Sequence, residues 1–366
     1  MAPNDDFETR EAVLARIESW RRRPPKMSDE TITMAHGAGG RASRSLIEAV
    51  IRPAFSNPAL DGLNDAAVLD IADTADGRRL AVTTDAFVVT PRRFNGGAIG
   101  DLAVNGTIND LAAMGAEPLA LTVSLVLEEG LPVQELREIV DDVARAAAAA
   151  GAAVVTGDTK VVERGAADGC YITTTGVGFV RPDSRLDAAS VQPADALVLS
   201  GAIGDHGVAV MVARGDLAVA ADVASDTAPL HELVSALLDA VPETRWLRDP
   251  TRGGVASACN ELAADCGLGV ELDERALPVN STVAGACEML GLDPLYIANE
   301  GKMLAVVPAE AAPEAVRAMQ SCEAGTEACV VGSVTESHPG LVLVRTGFGG
   351  ARIVDMLVGD PLPRIC

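Results

Sequence analysis

The segment GDLAVNGTINDLAAMGAEPLALTVSLVL, residues 100–127, carries the pattern that decides the fold. Its first part, Gly100–Met114, places the apolar side chains of Val104 and Ile108 four residues apart, which predicts a helix. Its second part, Leu119–Leu127, is an apolar and β-branched run that predicts a strand. The segment therefore predicts a domain in which helices and strands alternate.

The flanking sequence extends this pattern in both directions. A helix opens at Pro132 and ends at Gly151, and turn residues at Arg181–Asp187 separate the first unit from a second one. The other predicted elements are strands at Arg79–Asp85, Ala152–Thr156, Tyr171–Val180, Ala196–Ser200, Leu304–Val307, Ala328–Thr335 and Leu341–Arg345, and helices near Val208–Arg214, Leu230–Ala240 and Gly254–Cys266. We expect an extension at 1–33, an N-terminal domain at 34–185, a C-terminal domain at 190–345 and a mobile tail at 346–366.

Length and composition exclude several classes of function. The 366 residues suffice for two domains of ordinary size. With 52 acidic against 29 basic residues and 3% aromatic residues, the surface is unsuited to a polyphosphate backbone, so we expect no nucleic-acid partner. No apolar run approaches the ~20 residues of a membrane helix, so we expect no membrane partner. Seven cysteines without a CxxC pair predict reduced thiols in the cytoplasm.

Acidic side chains recur where predicted strands end and helices begin, at Asp65, Asp85, Asp110 and Asp158. Converging carboxylates repel one another unless a cation joins them, and magnesium bound through carboxylates and substrate phosphates is the usual arrangement. Each aspartate taken alone is equally explained as the cap of a helix or turn. The set as a whole favours a site for magnesium and phosphate.

Glycine-rich turns accompany the acids. The loop His36-Gly-Ala-Gly-Gly40 precedes a predicted helix and Gly201–Gly207 follows a predicted strand. Backbone N–H groups of such loops can hold phosphate, although each loop alone is more often a tight turn. Arg252 lies on the N-terminal approach to another predicted helix, where the helix dipole favours an anion.

Lysine is rare in this chain, and its positions are informative for that reason. The three lysines are Lys26, Lys160 and Lys302. Lys160 and Lys302 lie beside carboxylates in predicted loops, where a compact charge that can lose a proton differs from a guanidinium. A surface ion pair is the alternative for each. The histidines at 206, 231 and 338 do not cluster in sequence, so we expect core or surface roles for them.

The chain ends in Pro-Leu-Pro-Arg-Ile-Cys, residues 361–366. Two prolines remove backbone donors and favour extended backbone. We therefore expect Cys366 to be accessible to solvent on a mobile arm, with Gly349-Gly350 and Gly359 as hinges.

Seven motifs taken together resemble the HypE family, the carbamoyl dehydratases of nickel–iron hydrogenase maturation. They are His36-Gly-Ala-Gly-Gly40, Asn64-Asp-Ala-Ala-Val68, Asn109–Pro118, Thr156–Lys160, Ser200–Gly207, Arg248–Gly254 and Pro363–Cys366. The resemblance covers residues 34–366. Its central motifs specify the PurM-like ATP-binding superfamily, which includes aminoimidazole ribonucleotide synthetase, and the Pro-Arg-Ile-Cys ending specifies HypE. It implies an α+β fold of two domains, a dimer formed through the N-terminal domain's sheet, a C-terminal α/β sandwich domain and an extended C-terminal tail.

The resemblance also implies a reaction. A HypF-type carbamoyltransferase delivers a carbamoyl group to the Cys366 thiol, ATP and Mg²⁺ drive its dehydration to a thiocyanate, and the cyano group passes to iron on a HypC–HypD complex. Lys160 and Glu300 act at the thiocarbamate, with Glu300 as the base. The implied nucleotide site is His36, Gly37, Gly39, Gly40, Asp65, Asp85, Asn109, Asp110 and Asp158, and Asp65, Asp85, Asp110 and Asp158 also hold magnesium. A small-molecule kinase or synthetase of the same superfamily, and a non-catalytic thiol carrier, stay open as alternatives.

Overall fold

The computed structural model describes residues 29–55, 57, 59, 64–71, 79–216, 222–357 and 365–366. Two β-sheets, each covered by its own helices, make up these residues. Most of the predicted extension lies outside the described residues, together with Lys26 and the predicted hinge Gly359.

The first domain is built on a five-stranded sheet. Its strands are β1 (Ala67–Asp70), β2 (Arg79–Phe87), β5 (Ala116–Glu128), β6 (Ala153–Val162) and β7 (Cys170–Val180), and a separate ribbon contains β3 (Arg93–Phe94) and β4 (Gly97–Ala98). The sheet order is β1-β2-β7-β5-β6, with β5 and β6 parallel and the other neighbours antiparallel. The helices are α1 (Arg41–Leu46), a π-helical turn (Ile47–Ile51), α2 (Arg52–Ala54), α3 (Ile99–Ala113) and α4 (Val133–Ala149).

The first sheet has one covered and one uncovered face. Along β7, Ile172 and Thr174 are buried on the face that packs on α3, whereas Tyr171 and Val177 on the other face are partly exposed. Such alternation is typical of a sheet with helices on one side only. Helix α3 is buried over nearly its whole length because it packs between this sheet and the second domain. The uncovered face of the sheet is left without a partner in the described part of the chain.

The second domain is an α/β sandwich, as the sequence predicts. Its strands are β8 (Ala196–Leu199), β9 (Trp246–Arg248), β10 (Gly269–Asp273), β11 (Leu304–Val307), β12 (Cys329–Thr335), β13 (Val342–Arg345) and β14 (Ala351–Val354), in the order β14-β13-β10-β12-β8-β11-β9. Its helices are α5 (Asp205–Arg214), α6 (His231–Ala240), α7 (Gly254–Cys266), α8 (Ser281–Leu290) and α9 (Ala312–Gln320). Helix α7 packs on the face that carries Leu197, and α6 and α9 pack on the face that carries Val198. Among the described residues, no helix is long and apolar enough to cross a membrane.

Two segments differ from the sequence prediction in ways that affect the site. Strand β6 continues to Val162, so Asp158 and Lys160 lie inside an edge strand and not in a loop. Strand β14 pairs with β13, and its Val354 is fully buried, so the tail begins after residue 354 and not at 346. In both cases a short β-branched run extends a sheet beyond the turn residues that indicated its end.

Candidate functional site

Five carboxyl groups meet where the first domain faces the second. They come from the loop before β1, strand β2, helix α3, the turn after β9 and the loop before β11, and they are Asp65, Asp85, Asp110, Asp249 and Glu300. Carboxylate oxygens of Asp65, Asp110 and Asp249 lie within 4.8 Å of one another. Elements of both domains are therefore needed to assemble the cluster.

Hydrogen bonds and an ion pair hold Asp65 and Asp110 in place. The Thr83 hydroxyl lies 2.7 Å from Asp110 Oδ2 and 3.0 Å from the Asp65 carbonyl oxygen. Arg248 Nη1 lies 2.8 Å from Asp65 Oδ1, and Arg248 Nη2 lies 2.7 Å from Glu261 Oε2. One arginine thus compensates part of the negative charge but leaves Asp110 and Asp249 without a close cation among the described residues.

The charge of the cluster raises the pKa values of its members. Burial, opposed by Arg248 and assisted by Asp85, raises the pKa of Asp249 to about 6. Burial and the neighbouring carboxylates raise the pKa of Asp110 well above its ordinary value, and burial raises the pKa of Asp65 in the same direction against Arg248. Buried oxygen ligands that repel one another are the donor set that a small divalent cation stabilises.

The C-terminus is docked into this cleft. Ile365 is 4% exposed and packs in an apolar cluster with Phe94, Ile99 and Ala298. The carbonyl oxygen of Ile365 lies 2.8 Å from His206 Nε2, and the Val88 N–H donates to the terminal backbone oxygen of Cys366 at 3.2 Å. The last two residues are docked, because Ile365 fills an apolar socket between the domains, and Cys366 beside it is partly exposed. Most of the predicted mobile arm before them lies outside the described residues.

The Cys366 thiol lies among the charged groups of the cleft. Burial raises the pKa of this thiol, the charge of the Arg252 guanidinium lowers it, and the charges of Glu300 and Asp85 raise it further. Arg252 Nη2 is also 3.7 Å from Asp85 Oδ1. A cavity of about 350 Å³ opens beside the thiol, lined among others by Gly37, Val88, Tyr171 and Arg252. The space next to the thiol is thus polar on one wall and open to a ligand.

Glu300 is the most constrained of the five acids. Its side chain is 3% exposed, and its Oε1 has no hydrogen-bond partner among the described residues. Its backbone N–H donates to Asp226 Oδ1 at 3.0 Å, and Asp226 Oδ2 lies 3.2 Å from Lys302 Nζ. Both side chains of that ion pair are buried, so Lys302 is not a surface ion pair; it holds Asp226, which holds the backbone of Glu300.

Lys160 and Asp158 are not brought to the cluster within one chain. Lys160 Nζ lies 3.7 Å from Asp158 Oδ2, and both side chains are largely exposed on edge strand β6. Lys160 pairs with Val126, and Val126 pairs with Tyr171, the β7 residue level with Val88. Three strand spacings, about 14 Å in all, therefore separate Lys160 from the place where Cys366 docks.

The glycine-rich loop at 36–40 lies against the second domain. Gly39 has φ of +71°, and a Cβ there would lie 2.7 Å from the Arg252 carbonyl oxygen, so glycine is what permits the close approach. A Cβ on Gly40 would lie 2.6 Å from the Leu357 carbonyl oxygen. His36 is buried, with Nδ1 3.0 Å from the Thr33 backbone N–H, so its ring braces its own loop.

Asn109 joins the two domains instead of facing the cavity. Its amide N–H groups donate to the carbonyl oxygens of Ala228 at 3.1 Å and Glu300 at 3.3 Å, and its Oδ1 accepts from the Leu230 N–H at 2.8 Å. Both donors are thereby used by the backbone of the second domain. The contact of Asn109 with a nucleotide stays a prediction; in this structure the side chain holds the backbone of Glu300 and Leu230.

Asp249, Arg248 and His206 belong to the site although the sequence did not single them out as site residues. Asp249 and Arg248 stand in the Arg248–Gly254 motif, where an Asp-Pro pair is also what a turn requires. His206 stands in the Gly201–Gly207 loop, whose glycines indicated a possible phosphate-binding turn. All three lie inside sequence motifs that could have indicated a site, but a tight turn explained the same motifs.

Comparison with known proteins gives the family. The model for the N-terminal domain of AIR synthase related proteins matches residues 63–180, and the model for their C-terminal domain matches residues 192–344. The carbamoyl dehydratase HypE of Rhodobacter capsulatus is 52% identical over 341 residues, which are 93% of this chain and 99% of that protein.

Solved structures agree with the sequence match. A chain in the crystal structure of a HypE–HypF complex is 43% identical, with a TM-score of 0.80 over 85% of this chain and 99% of that one. The hydrogenase maturation protein HypE in complex with ATP is 42% identical, with a TM-score of 0.76 over 92% of this chain and 100% of that one.

Proposed function

This chain belongs to the HypE carbamoyl dehydratases of the AIR synthase related family, and from that premise we propose how its residues carry out the reaction. It is an enzyme of hydrogenase maturation that dehydrates a carbamoyl group on its C-terminal cysteine to a thiocyanate and consumes ATP. The observation that carries the residue assignment is the docked C-terminus, which brings the Cys366 thiol near the charges of Arg252 and Glu300 at the wall of a cavity.

The reaction removes the elements of water from a thiocarbamate. When bound, ATP supplies a phosphoryl group to the carbamoyl oxygen, which turns a poor leaving group into a good one. Over the whole reaction the carbon–oxygen bond breaks, the nitrogen loses two protons, a carbon–nitrogen triple bond forms, and the oxygen leaves in inorganic phosphate beside ADP. The protein must therefore stabilise negative charge on the phosphates and accept the protons that the carbamoyl nitrogen loses.

Glu300 is the proton acceptor in this proposal. Burial, with the charges of Asp249 and Asp226 and against Arg252, raises the pKa of Glu300 well above its ordinary value. A carboxylate with a raised pKa is a stronger base, and its partnerless Oε1 is free to take a proton from a carbamoyl nitrogen on the adjacent sulfur. Arg252 lines the same cavity as the thiol, and its guanidinium can stabilise a developing negative charge there.

Magnesium fits the acidic cluster. Asp65, Asp110 and Asp249 offer one carboxylate oxygen each within 4.8 Å, and a divalent cation would offset the burial and the mutual repulsion that raise their pKa values. These three side chains would hold the ion, which would neutralise charge on the phosphates of ATP. Asp85 contacts Arg252 and orients that guanidinium toward the same phosphates.

A homodimer formed through the uncovered face of the first sheet would bring Lys160 to a thiocarbamate. This face carries Leu69, which is 43% exposed, and the partly exposed Leu80, Val126 and Val177. An apolar sheet face of this kind is commonly covered by another subunit. In such a dimer Lys160 acts at the thiocarbamate of the partner subunit, which its distance from Cys366 forbids within one chain.

The proteins that load and unload Cys366 follow from the chemistry. We propose a HypF-type carbamoyltransferase as the donor, in line with the HypE–HypF complex solved for relatives, and a HypC–HypD complex as the acceptor. All seven cysteines are free, which supports a reducing compartment such as the cytoplasm.

The reaction is tested by mass spectrometry of the C-terminal peptide. The protein is carbamoylated with the transferase and carbamoyl phosphate, given Mg-ATP, digested and weighed. We expect the modified peptide to lose one water, and Cys366→Ala to show neither modification nor loss. ATP turnover that is indifferent to Cys366, with a peptide that never loses water, would instead indicate a small-molecule kinase or synthetase; loading without loss would indicate a thiol carrier.

The dimer is tested by mixing two inactive variants. Lys160→Ala and Cys366→Ala proteins are each expected to lack dehydration. A mixed dimer that joins a carbamoylated Cys366 of one chain to Lys160 of the other recovers activity if the lysine acts across the interface. Mixed dimers that stay inactive would contradict this arrangement.

A further inference from the structure

His206 makes the hydrogen bond that connects the body of the second domain to the C-terminal tail. It is the second residue of α5, is fully buried, and its Nε2 lies 2.8 Å from the carbonyl oxygen of Ile365. The other nitrogen, Nδ1, lies 2.8 Å from Ser225 Oγ. The ring thus gives the tail a hydrogen bond to the second domain beside the apolar packing of Ile365, and the dehydration chemistry described above does not use it.

The contacts of His206 fix which nitrogen of the ring donates to the tail. A carbonyl oxygen can only accept, so His206 Nε2 carries the hydrogen. Burial lowers the pKa of His206, which favours the neutral ring, and in that ring Nδ1 accepts the Ser225 hydroxyl hydrogen. Ser225 Oγ in turn accepts the Thr227 backbone N–H at 3.2 Å. The relay therefore points a single N–H donor at the tail.

Packing holds the ring in the orientation that this bond needs. Phe94 meets His206 edge-on, with ring centroids 5.5 Å apart and planes at 83°. Phe94 also belongs to the apolar cluster that receives the Ile365 side chain. The ring and the socket thus fix the carbonyl and the side chain of the same tail residue, one position before the reacting thiol.

We propose that His206 is a positioning residue that latches the C-terminal tail in the cleft and thereby sets how much of the time the Cys366 thiol lies beside Glu300. Its effect on turnover rests on the proposed function, whereas its effect on the tail does not. The first domain supplies a second contact, the Val88 N–H on the terminal oxygen of Cys366, so the docked tail also bridges the two domains. Loading and unloading of the thiol by other proteins requires this latch to open.

The latch is tested by alkylation of Cys366 in two variants of His206. His206→Phe keeps a flat ring against Phe94 but removes the donor, and His206→Gln keeps an N–H donor of similar reach. With iodoacetamide and mass spectrometry of the C-terminal peptide, we expect His206→Phe to react roughly tenfold faster than wild type, the effect of one lost hydrogen bond, and His206→Gln to stay close to wild type. The fully buried Cys259 is the internal control, and His231→Phe is the matched variant at a histidine away from the tail.

A second readout separates positioning from general damage. In single-turnover dehydration of carbamoylated protein, His206→Phe should lose about the factor it gains in alkylation, while its affinity for ATP stays unchanged and His206→Gln restores the rate. Alkylation of Cys366 at the wild-type rate in folded His206→Phe overturns the latch. If that variant does not fold, Ser225→Ala removes the hydrogen that fixes the ring, and an unchanged alkylation rate there overturns it equally.

The outcomes distinguish the latch from the proposed function. Wild-type protein that never dehydrates, combined with faster alkylation in His206→Phe, defeats the proposed function and leaves the latch intact. Normal dehydration and normal alkylation in His206→Phe defeats the latch alone.

Discussion

The cleft between the domains and the edge strand β6 each carry an ion pair between an acidic and a basic side chain. The pair in the cleft is close and largely buried, whereas the pair on β6 is longer and exposed to solvent. In the cleft, Arg248 lies 2.8 Å from Asp65, whose side chain is 9% exposed. On β6, Lys160 lies 3.7 Å from Asp158, whose side chain is 66% exposed. A low-dielectric site strengthens each charge interaction, whereas an exposed pair is screened by water.

The difference shows what completes each region. The second domain brings Asp249 and Glu300 to Asp65 and Asp110, so all five carboxyl groups of the cleft come from one chain. Nothing in the described part of the chain covers β6 in the same way. A role of Lys160 at the thiocarbamate therefore rests on the proposed dimer.

Glu300→Gln should have the largest effect on the cleft. The substitution keeps the volume of the side chain but cannot accept a proton, so we expect single-turnover dehydration to fall by about 10²–10⁴-fold. Binding of ATP, followed by calorimetry, should be nearly unchanged. Glu271→Gln, a carboxyl group paired with Arg345 on the second sheet, is the matched control. Wild-type rates in Glu300→Gln would show that Glu300 is not the base.

Asp249→Asn should change how stability depends on pH. The folded pKa of Asp249 is raised to about 6, so its favourable contribution is present below the unfolded value near 3.8 and is lost as pH rises through about 6. The free energy of unfolding of the variant relative to wild type should therefore rise by about 3 kcal/mol between pH 4 and pH 7 in magnesium-free buffer.

The same measurement on the edge strand supplies the contrast. Added magnesium should stabilise wild type at pH 7 and stabilise Asp249→Asn much less, whereas Asp158→Asn should respond to magnesium as wild type does. Denaturant titrations with and without magnesium read out both effects. An Asp158→Asn protein that lost the magnesium response would place the ion on β6 and contradict the assignment.

The smallest effect is expected for the stability of the β6 ion pair itself. A double-mutant cycle on Asp158→Asn and Lys160→Ala in monomeric protein should give a coupling free energy of about 0–1 kcal/mol, as is usual for exposed pairs. The same cycle at concentrations that favour the dimer should differ if an interface covers the pair. Identical values at both concentrations would argue against burial of β6 in a dimer.

The sequence predicts the residues of the cleft better than the position of strand β6, and the reason is physical. Asp85 and Asp110 converge because α3 packs antiparallel along β2, which places Thr83 against Asp110 and Asp85 beside Gly106. The Asp158 motif has the same composition, but its strand lies at the far edge, and strand order is not visible in residue spacing. The docked Cys366 was also missed, since prolines before it indicated an extended arm and only the socket for Ile365 shows where that arm rests.

The most direct measurement follows the carbamoyl oxygen. Cys366 is loaded with a carbamoyl group that carries oxygen-18, Mg-ATP is added for a single turnover, and the label is traced by mass spectrometry of the phosphate and the water. We expect the label in inorganic phosphate, one atom for each thiocyanate formed, because ATP activates that oxygen before it leaves. Label released into water while ATP is hydrolysed separately would contradict ATP-driven dehydration on Cys366.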